Sequence, residues 1–99
     1  MPKSAFAANV HAKVCAAQVT QLMAGEPPLS AKLINTCYSL VAPDYGISVA
    51  GVYEPEGNRF REIAEAGGSS PLNADASVRQ KEAGYAHHWF NSITAEAFG

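Results

Sequence analysis

The residues of this chain best suited to nucleophilic, redox or metal chemistry are two cysteines and three histidines. Cys37 lies in the β-rich run Leu33–Val41, and Cys15 lies between Val14 and Ala16 in a run of good helix formers. A thiolate can exchange with a disulfide, bind a metal or act as a nucleophile. On residue type alone, a cysteine in such a run is more often a small buried hydrophobe, and we expect Cys15 to pack in the core.

The histidines do not form a recognisable metal site. His87 and His88 are adjacent, so on a helix their side chains point about 100° apart and cannot hold one ion together. His11 and Cys15 are four residues apart on a helix and could supply two ligands, but the sequence offers no third. We therefore predict no metal site.

The first element that positions these residues is a helix from Ala5 to Ala24, a stretch without Pro or Gly. Ser4 is a good N-cap because its hydroxyl can accept a hydrogen bond from a first-turn N–H. Gly25 provides the helix stop, and Pro27 and Pro28 prevent continuation.

Three strands are expected next, over Lys32–Ala42, Ile47–Tyr53 and Arg59–Ala64. The segments Pro43–Gly46 and Pro55–Asn58 between them carry the proline, aspartate, asparagine and glycine residues that favour tight turns. Alternation along the first strand puts one set of side chains on a single face: Leu33, Asn35, Cys37, Ser39 and Val41.

A loop over Gly67–Pro71 precedes a second helix, which Asn73 or Asp75 caps and which runs to about Asn91. A short separate turn covers Thr94–Phe98. The apolar face of this helix is formed by Val78, Tyr85 and Trp89, with Ala86 and Phe90 adjacent. The predicted fold is a single α+β domain over residues 1–99, a small antiparallel three-stranded meander flanked by an N-terminal and a C-terminal helix.

Composition limits the partners of this domain. Charged residues make up 16% of the chain, against about 25% in a typical soluble domain. Either the chain is simply rich in alanine, or part of its surface is covered by another protein. The net charge of −2 without a basic run argues against nucleic acid, and no apolar stretch approaches the ~18 residues of a membrane span. Met1–Phe6 carries one lysine but no unbroken apolar h-region and no cleavage site, so we do not expect a signal peptide here.

Four segments resemble the C-terminal part of the flavoprotein subunit of flavocytochrome c sulfide dehydrogenase. They are Met1–Ser4 with Ala8-Asn9, Leu33–Ser39, Ala42–Val49, and Trp89–Ile93 near an ending in Phe98-Gly99. The resemblance extends in order over nearly the whole chain, and the blocks Asn-Thr-Cys-Tyr-Ser and Ala-Pro-Asp-Tyr-Gly-Ile-Ser-Val are its most specific parts.

The resemblance implies a larger parent protein. Flavoproteins of that family carry two dinucleotide-binding folds before the part that resembles this chain, and here no G-x-G-x-x-G fingerprint is present. Those N-terminal FAD/NAD-type domains are therefore implied partners. We expect that the chain does not hold FAD tightly alone.

The resemblance also assigns roles to individual residues. In the family a redox-active disulfide lies over the flavin. One of its two cysteines corresponds to Cys37 in this chain, and the other lies in the absent N-terminal part. In this chain Cys37 can remain a thiol, bond to another chain or bond to Cys15. The last choice needs Cα atoms within about 7 Å.

Cofactor contacts follow from the same resemblance. The start of the first helix, with Pro2, Lys3, Ser4 and Ala5, is expected near the pyrimidine end of the flavin, where helix N–H groups suit developing negative charge. Trp89 is expected near the flavin and the disulfide. Residue type alone supports only an ordinary capped helix and a tryptophan that anchors the second helix on the sheet.

The function implied is that of an FAD-dependent oxidoreductase, located in the periplasm, which oxidises sulfide and passes electrons to a c-type cytochrome subunit. No Cys-x-x-Cys-His motif attaches haem to this chain. We do not expect the chain alone to be an active enzyme. The alternative is an inactive fragment that acts as a small interaction domain and forms a homodimer through apolar surface.

Overall fold

The computed structural model describes every residue from Met1 to Gly99. Its elements are, in order, helix α1 (Ala5–Met23), strands β1 (Leu33–Ala42), β2 (Tyr45–Glu56), β3 (Arg59–Glu62) and β4 (Gly68–Ser69), and helix α2 (Ala76–Phe98). The strands form one sheet in the order β1-β2-β3, with β4 paired to β2. The predicted α+β fold, a meander flanked by two helices, is confirmed. Neither helix combines the length and the hydropathy needed to cross a membrane.

β2 is longer than predicted at both ends, Tyr45–Glu56 rather than Ile47–Tyr53, and extends into both predicted turns. The structure differs from the predicted elements at three further places. The loop predicted at Gly67–Pro71 contains β4, and the Ser70 N–H donates to the Ser48 carbonyl at 2.9 Å. β3 ends at Glu62 rather than Ala64, because the chain turns there through Glu65 at φ 69°. The separate turn predicted near the C-terminus is part of α2, since neither Gly nor Pro lies between Asn91 and Gly99.

The chain forms two compact units, and the first contains Met1–Thr36 and Ala50–Gly67. In this unit Ser4 caps α1 as predicted, accepting a hydrogen bond from the Ala7 N–H at 3.1 Å. β2 and β3 pair antiparallel from Tyr53↔Glu62 to Glu56↔Arg59. The small core of the unit is formed by Ala7, Leu33, Asn35 and Tyr53.

The second unit contains Cys37–Val49 and Gly68–Gly99. Its core lies along α2, but the face predicted for this helix is wrong in part. The buried residues are Arg79, Ala83 and Ala86, whereas Tyr85 is 53% exposed. Small side chains let the helix backbone lie directly against β2. A Cβ atom added at Gly46 would lie 2.5 Å from the Ala83 nitrogen. Gly46 is therefore required for close packing, and not for the turn in which the sequence placed it.

Side-chain burial along β1 changes face partway through the strand. Leu33 and Asn35 are buried, and Ile34 between them is exposed. From Thr36 onward the half-buried positions have the opposite parity, and Cys37 is exposed. The regular alternation predicted from the sequence thus holds for the backbone but not for burial, because a strand alternates side chains irrespective of which face is covered.

Asp75 caps α2, which resolves the choice that the sequence left between Asn73 and Asp75. Its carboxylate accepts hydrogen bonds from the Ser77 hydroxyl at 2.6 Å and the Val78 N–H at 3.2 Å. These two hydrogen bonds hold the pKa of Asp75 below its usual value, and the bond from Ser77 has the larger effect.

A lowered pKa means that the folded protein favours the ionised carboxylate, so the stabilisation is present above the unfolded pKa and is lost as the pH falls through the folded one. Urea unfolding across acidic pH should therefore show wild type losing its advantage over Asp75→Asn progressively as the pH falls below about 4. A difference between the two proteins that stays constant with pH would contradict this role.

Candidate functional site

The N-terminus of α1 opens into a cavity of about 700 Å³. The residues predicted to contact a cofactor, Pro2, Lys3, Ser4 and Ala5, all line this cavity. Its volume lies within the range of about 300–1,000 Å³ that is typical of small-molecule sites. The structure therefore brings these four residues together at one concave site.

The charge distribution at this cavity favours an electron-rich ligand. The first turn of α1 contains no acidic residue, so the positive end of the helix dipole is not neutralised by its own side chains. Lys3 adds a positive charge on the cavity wall. A group that carries or develops negative charge is stabilised at such a helix end.

Ser4 fixes this helix end in place through two hydrogen bonds. It accepts from the Ala7 N–H, and its hydroxyl donates to the side-chain oxygen of Asn35, which is 3% exposed on β1. Ser4→Ala removes both interactions and should lower the free energy of unfolding by about 1–2 kcal/mol. Urea unfolding measures the loss, and Ser4→Thr, which keeps a hydroxyl, should retain most of the stability. Equal losses in both variants would show that the hydroxyl is not the stabilising group.

Two side chains with rings line this cavity and were not assigned to it from the sequence. His11 and Phe60 line it, with ring centroids 5.7 Å apart and planes inclined by 53°. The His11 Nε2 atom lies 3.0 Å from the Met1 sulfur. The spacing of Ser4 and His11, seven residues on one helix, is the signal that would have found the histidine. Phe60 reaches the site through strand pairing and has no local signal.

Cys15 is exposed, so the prediction that it packs in the core is wrong. It lines a second cavity, of about 280 Å³, together with His11 and Leu29. The Gln18 side chain holds the Leu29 backbone on this side of α1, with distances of 2.8 and 2.6 Å. No cluster of three or more His, Cys, Asp or Glu side chains is placed to hold a metal ion.

Cys37 is also exposed. It is therefore not the small buried hydrophobic residue that its residue type alone predicted. The bridge between Cys15 and Cys37 that the sequence left open is not formed. Cys37 belongs to the second unit, as does Trp89. The exposed Cys37 thiol can be reached from solvent.

Trp89 packs against Tyr38, the residue that follows Cys37 on β1. Their ring centroids are 6.1 Å apart, and the planes are inclined by 36°. Successive side chains of a strand point to opposite faces, so Trp89 lies on the face away from the Cys37 side chain. This contact is the one expected of a tryptophan that anchors α2 on the sheet.

A comparison with protein families identifies a relationship over most of the chain. A family model described as "Flavocytochrome c sulphide dehydrogenase, flavin-binding" matches residues 29–98. The matched region includes every strand, the whole of α2, and both Cys37 and Trp89. Helix α1 and the cavity residues Pro2–Ala5 precede it.

Proposed function

Because the chain belongs to the flavin-binding family of flavocytochrome c sulphide dehydrogenase, we propose that it is the C-terminal part of an FAD-dependent oxidoreductase that oxidises sulfide. The observation that carries this proposal is the exposed Cys37 within the matched region. A core cysteine would be inert, whereas an accessible thiol on a sheet face can take part in exchange chemistry.

Cys37 acts as one half of a redox disulfide whose second cysteine is supplied by the preceding part of the parent protein. Hydrosulfide attacks one sulfur of this disulfide and forms a new sulfur–sulfur bond, giving a persulfide. The original bond breaks, and its electron pair leaves on the other sulfur as a thiolate. Sulfide has then been oxidised and the disulfide reduced by two electrons.

The cavity at α1 has the properties needed for one wall of a flavin site. It is large enough for a planar ring system, its helix end favours negative charge, and Phe60 and His11 supply aromatic surface. When bound, a flavin accepts two electrons and becomes more negatively charged. Pro2, Lys3, Ser4 and Ala5 would hold its electron-rich edge, while Trp89 supports the strand that carries Cys37.

The proposed partners follow from the same assignment. The N-terminal dinucleotide-binding domains of the parent complete the flavin site, and a c-type cytochrome subunit takes the electrons. The periplasm is the proposed compartment, because a disulfide persists there.

Absorption spectroscopy tests the proposal. The 99-residue chain should purify without a flavin band, whereas the flavoprotein that contains it should carry FAD and reduce cytochrome c when sulfide is added. A flavoprotein with bound FAD and no sulfide-dependent reduction would overturn the proposed activity. A flavin band in the chain alone would contradict only the claim that it forms a single wall of the site.

Exposed apolar side chains favour a second candidate, an inactive fragment that self-associates. Met23, Leu72 and Phe98 are each more than four-fifths exposed, and several large hydrophobic residues on the strands are also uncovered. Apolar surface of this kind drives association when nothing else covers it. Sedimentation at several concentrations separates a homodimer from a monomer that awaits its parent domains.

A further inference from the structure

Arg79 is a buried arginine in the first turns of α2, only 5% exposed. Its Nη2 atom donates to the backbone carbonyls of Pro71, at 2.5 Å, and Leu72, at 3.3 Å. The ring of Tyr45 lies 5.4 Å from its Cζ atom. These contacts fix the guanidinium in place but satisfy only one of its three nitrogens.

The other two nitrogens of Arg79, Nε and Nη1, are buried and have no hydrogen-bond partner. Buried donors of a charged group normally have hydrogen-bond partners, because a buried donor without a partner destabilises the fold. The carboxylates nearest in sequence are committed elsewhere. Asp75 caps α2, and Glu82 accepts a hydrogen bond from the Ser70 hydroxyl. Arg79 therefore forms no ion pair with either of these two carboxylates.

A cavity of about 200 Å³ adjoins this guanidinium. Its walls include Arg79, three serines (Ser48, Ser69 and Ser70) and the side of Leu72, which is 95% exposed. The volume is several times the roughly 30 Å³ that one water molecule occupies in the liquid. The Ser70 hydroxyl already donates to Glu82, but Arg79 and the hydroxyls of Ser48 and Ser69 can donate to the oxygen atoms of an anion.

We propose that this cavity binds a small oxyanion, with Arg79 as its charged ligand. An oxyanion carries only acceptors, which matches the donors left over on Arg79, and its charge balances the buried guanidinium. The exposed Leu72 forms the rim through which the ion enters. This site is separate from Cys37 and from the cavity at α1, so its failure would leave the proposed redox function untouched.

Nuclear magnetic resonance of the ¹⁵N-labelled chain tests this proposal directly. The Nε–H signal of Arg79 is followed during titration with sodium sulfate or sodium acetate, against sodium chloride at equal ionic strength. We expect a saturable shift at Arg79. Arg61 is the internal control, because its guanidinium is exposed and already paired with Glu54. A stronger response to sulfate indicates a free inorganic ion, and a stronger response to acetate indicates a carboxylate.

Two variants complete the test. Arg79→Lys keeps the charge without the planar fork and should weaken oxyanion binding about tenfold or more. We also expect sulfate or acetate to raise the melting temperature of wild type, and Arg79→Met should abolish this rise. If Arg79→Met does not fold, the lysine variant and the wild-type titration still decide whether the anion site exists. The proposal is overturned if Arg79 shows no saturable shift with either salt, because the cavity would then hold ordered water and no anion. It is also overturned if both variants bind the anion as tightly as wild type does.

Discussion

Replacing Cys37 with serine in the flavoprotein that contains this chain should lower sulfide oxidation by on the order of a hundredfold or more. Serine preserves the size of the side chain on the exposed face of β1 but cannot form the disulfide that hydrosulfide would open. Flavin absorption should be unchanged, because the side chain is exposed on the strand and serine is close to cysteine in size. Sulfide-dependent reduction of cytochrome c gives the rate, and the visible spectrum gives the flavin content.

Cys15→Ser is the matched control for this experiment. Cys15 is the other exposed cysteine of the chain, and it lines a cavity beside α1. Its replacement should leave the rate of sulfide oxidation within about twofold of wild type, as expected for a surface change outside a reacting group. Normal turnover in Cys37→Ser, or an equal loss in both variants, would remove the proposed role of Cys37.

Gly46→Ala should lower the free energy of unfolding by about 3 kcal/mol, at the upper end of the usual cost of overpacking. The added Cβ atom would lie 2.5 Å from the Ala83 nitrogen and 2.8 Å from its Cα atom. Both are backbone atoms of α2, so no side-chain rotation can relieve the clash. The helix must move away from β2, which also disturbs the packing of Ala83 and Ala86. Urea unfolding measures the change.

Gly84→Ala is the control. Gly84 lies on α2, the helix that Gly46 contacts, and a Cβ atom added there would meet nothing within 4 Å. Alanine has a higher helix propensity than glycine, so this variant should be stabilised by about 0.5–1 kcal/mol. Two glycine-to-alanine changes in one unit should therefore have opposite signs. If Gly46→Ala were as stable as wild type, the close approach of α2 to β2 would not exist in solution.

The elements that local chemistry specifies were predictable. Ser4 caps α1, and Gly25 follows the helix at φ 74°, because capping and a left-handed residue depend only on neighbouring backbone groups. The three longer strands followed from β-rich runs separated by turn residues. The resemblance found in the sequence is confirmed by the family match over residues 29–98.

Features that depend on distant contacts were not predictable. Nothing in the local sequence shows that Arg79 is buried or that Phe60 joins His11 in the cavity at α1. Arginine is rarely buried without a partner, so a pattern-based interpretation places it in solvent. Gly46 was assigned to a turn for its conformational freedom, whereas in the structure its lack of a side chain lets α2 pack closely against β2. In each case the deciding neighbour is far away in sequence.

The change of buried face along β1 has a consequence for how this strand can vary. If burial simply alternated from Leu33 and Asn35, Cys37 would be covered as well, because it has the same parity. Its access to solvent therefore depends on which face of the strand is covered after Asn35, and not on its residue type. Deleting or inserting one residue between Asn35 and Cys37 would turn every later side chain to the other face. The length of this short stretch is thus as much a requirement for a reachable sulfur as the cysteine itself.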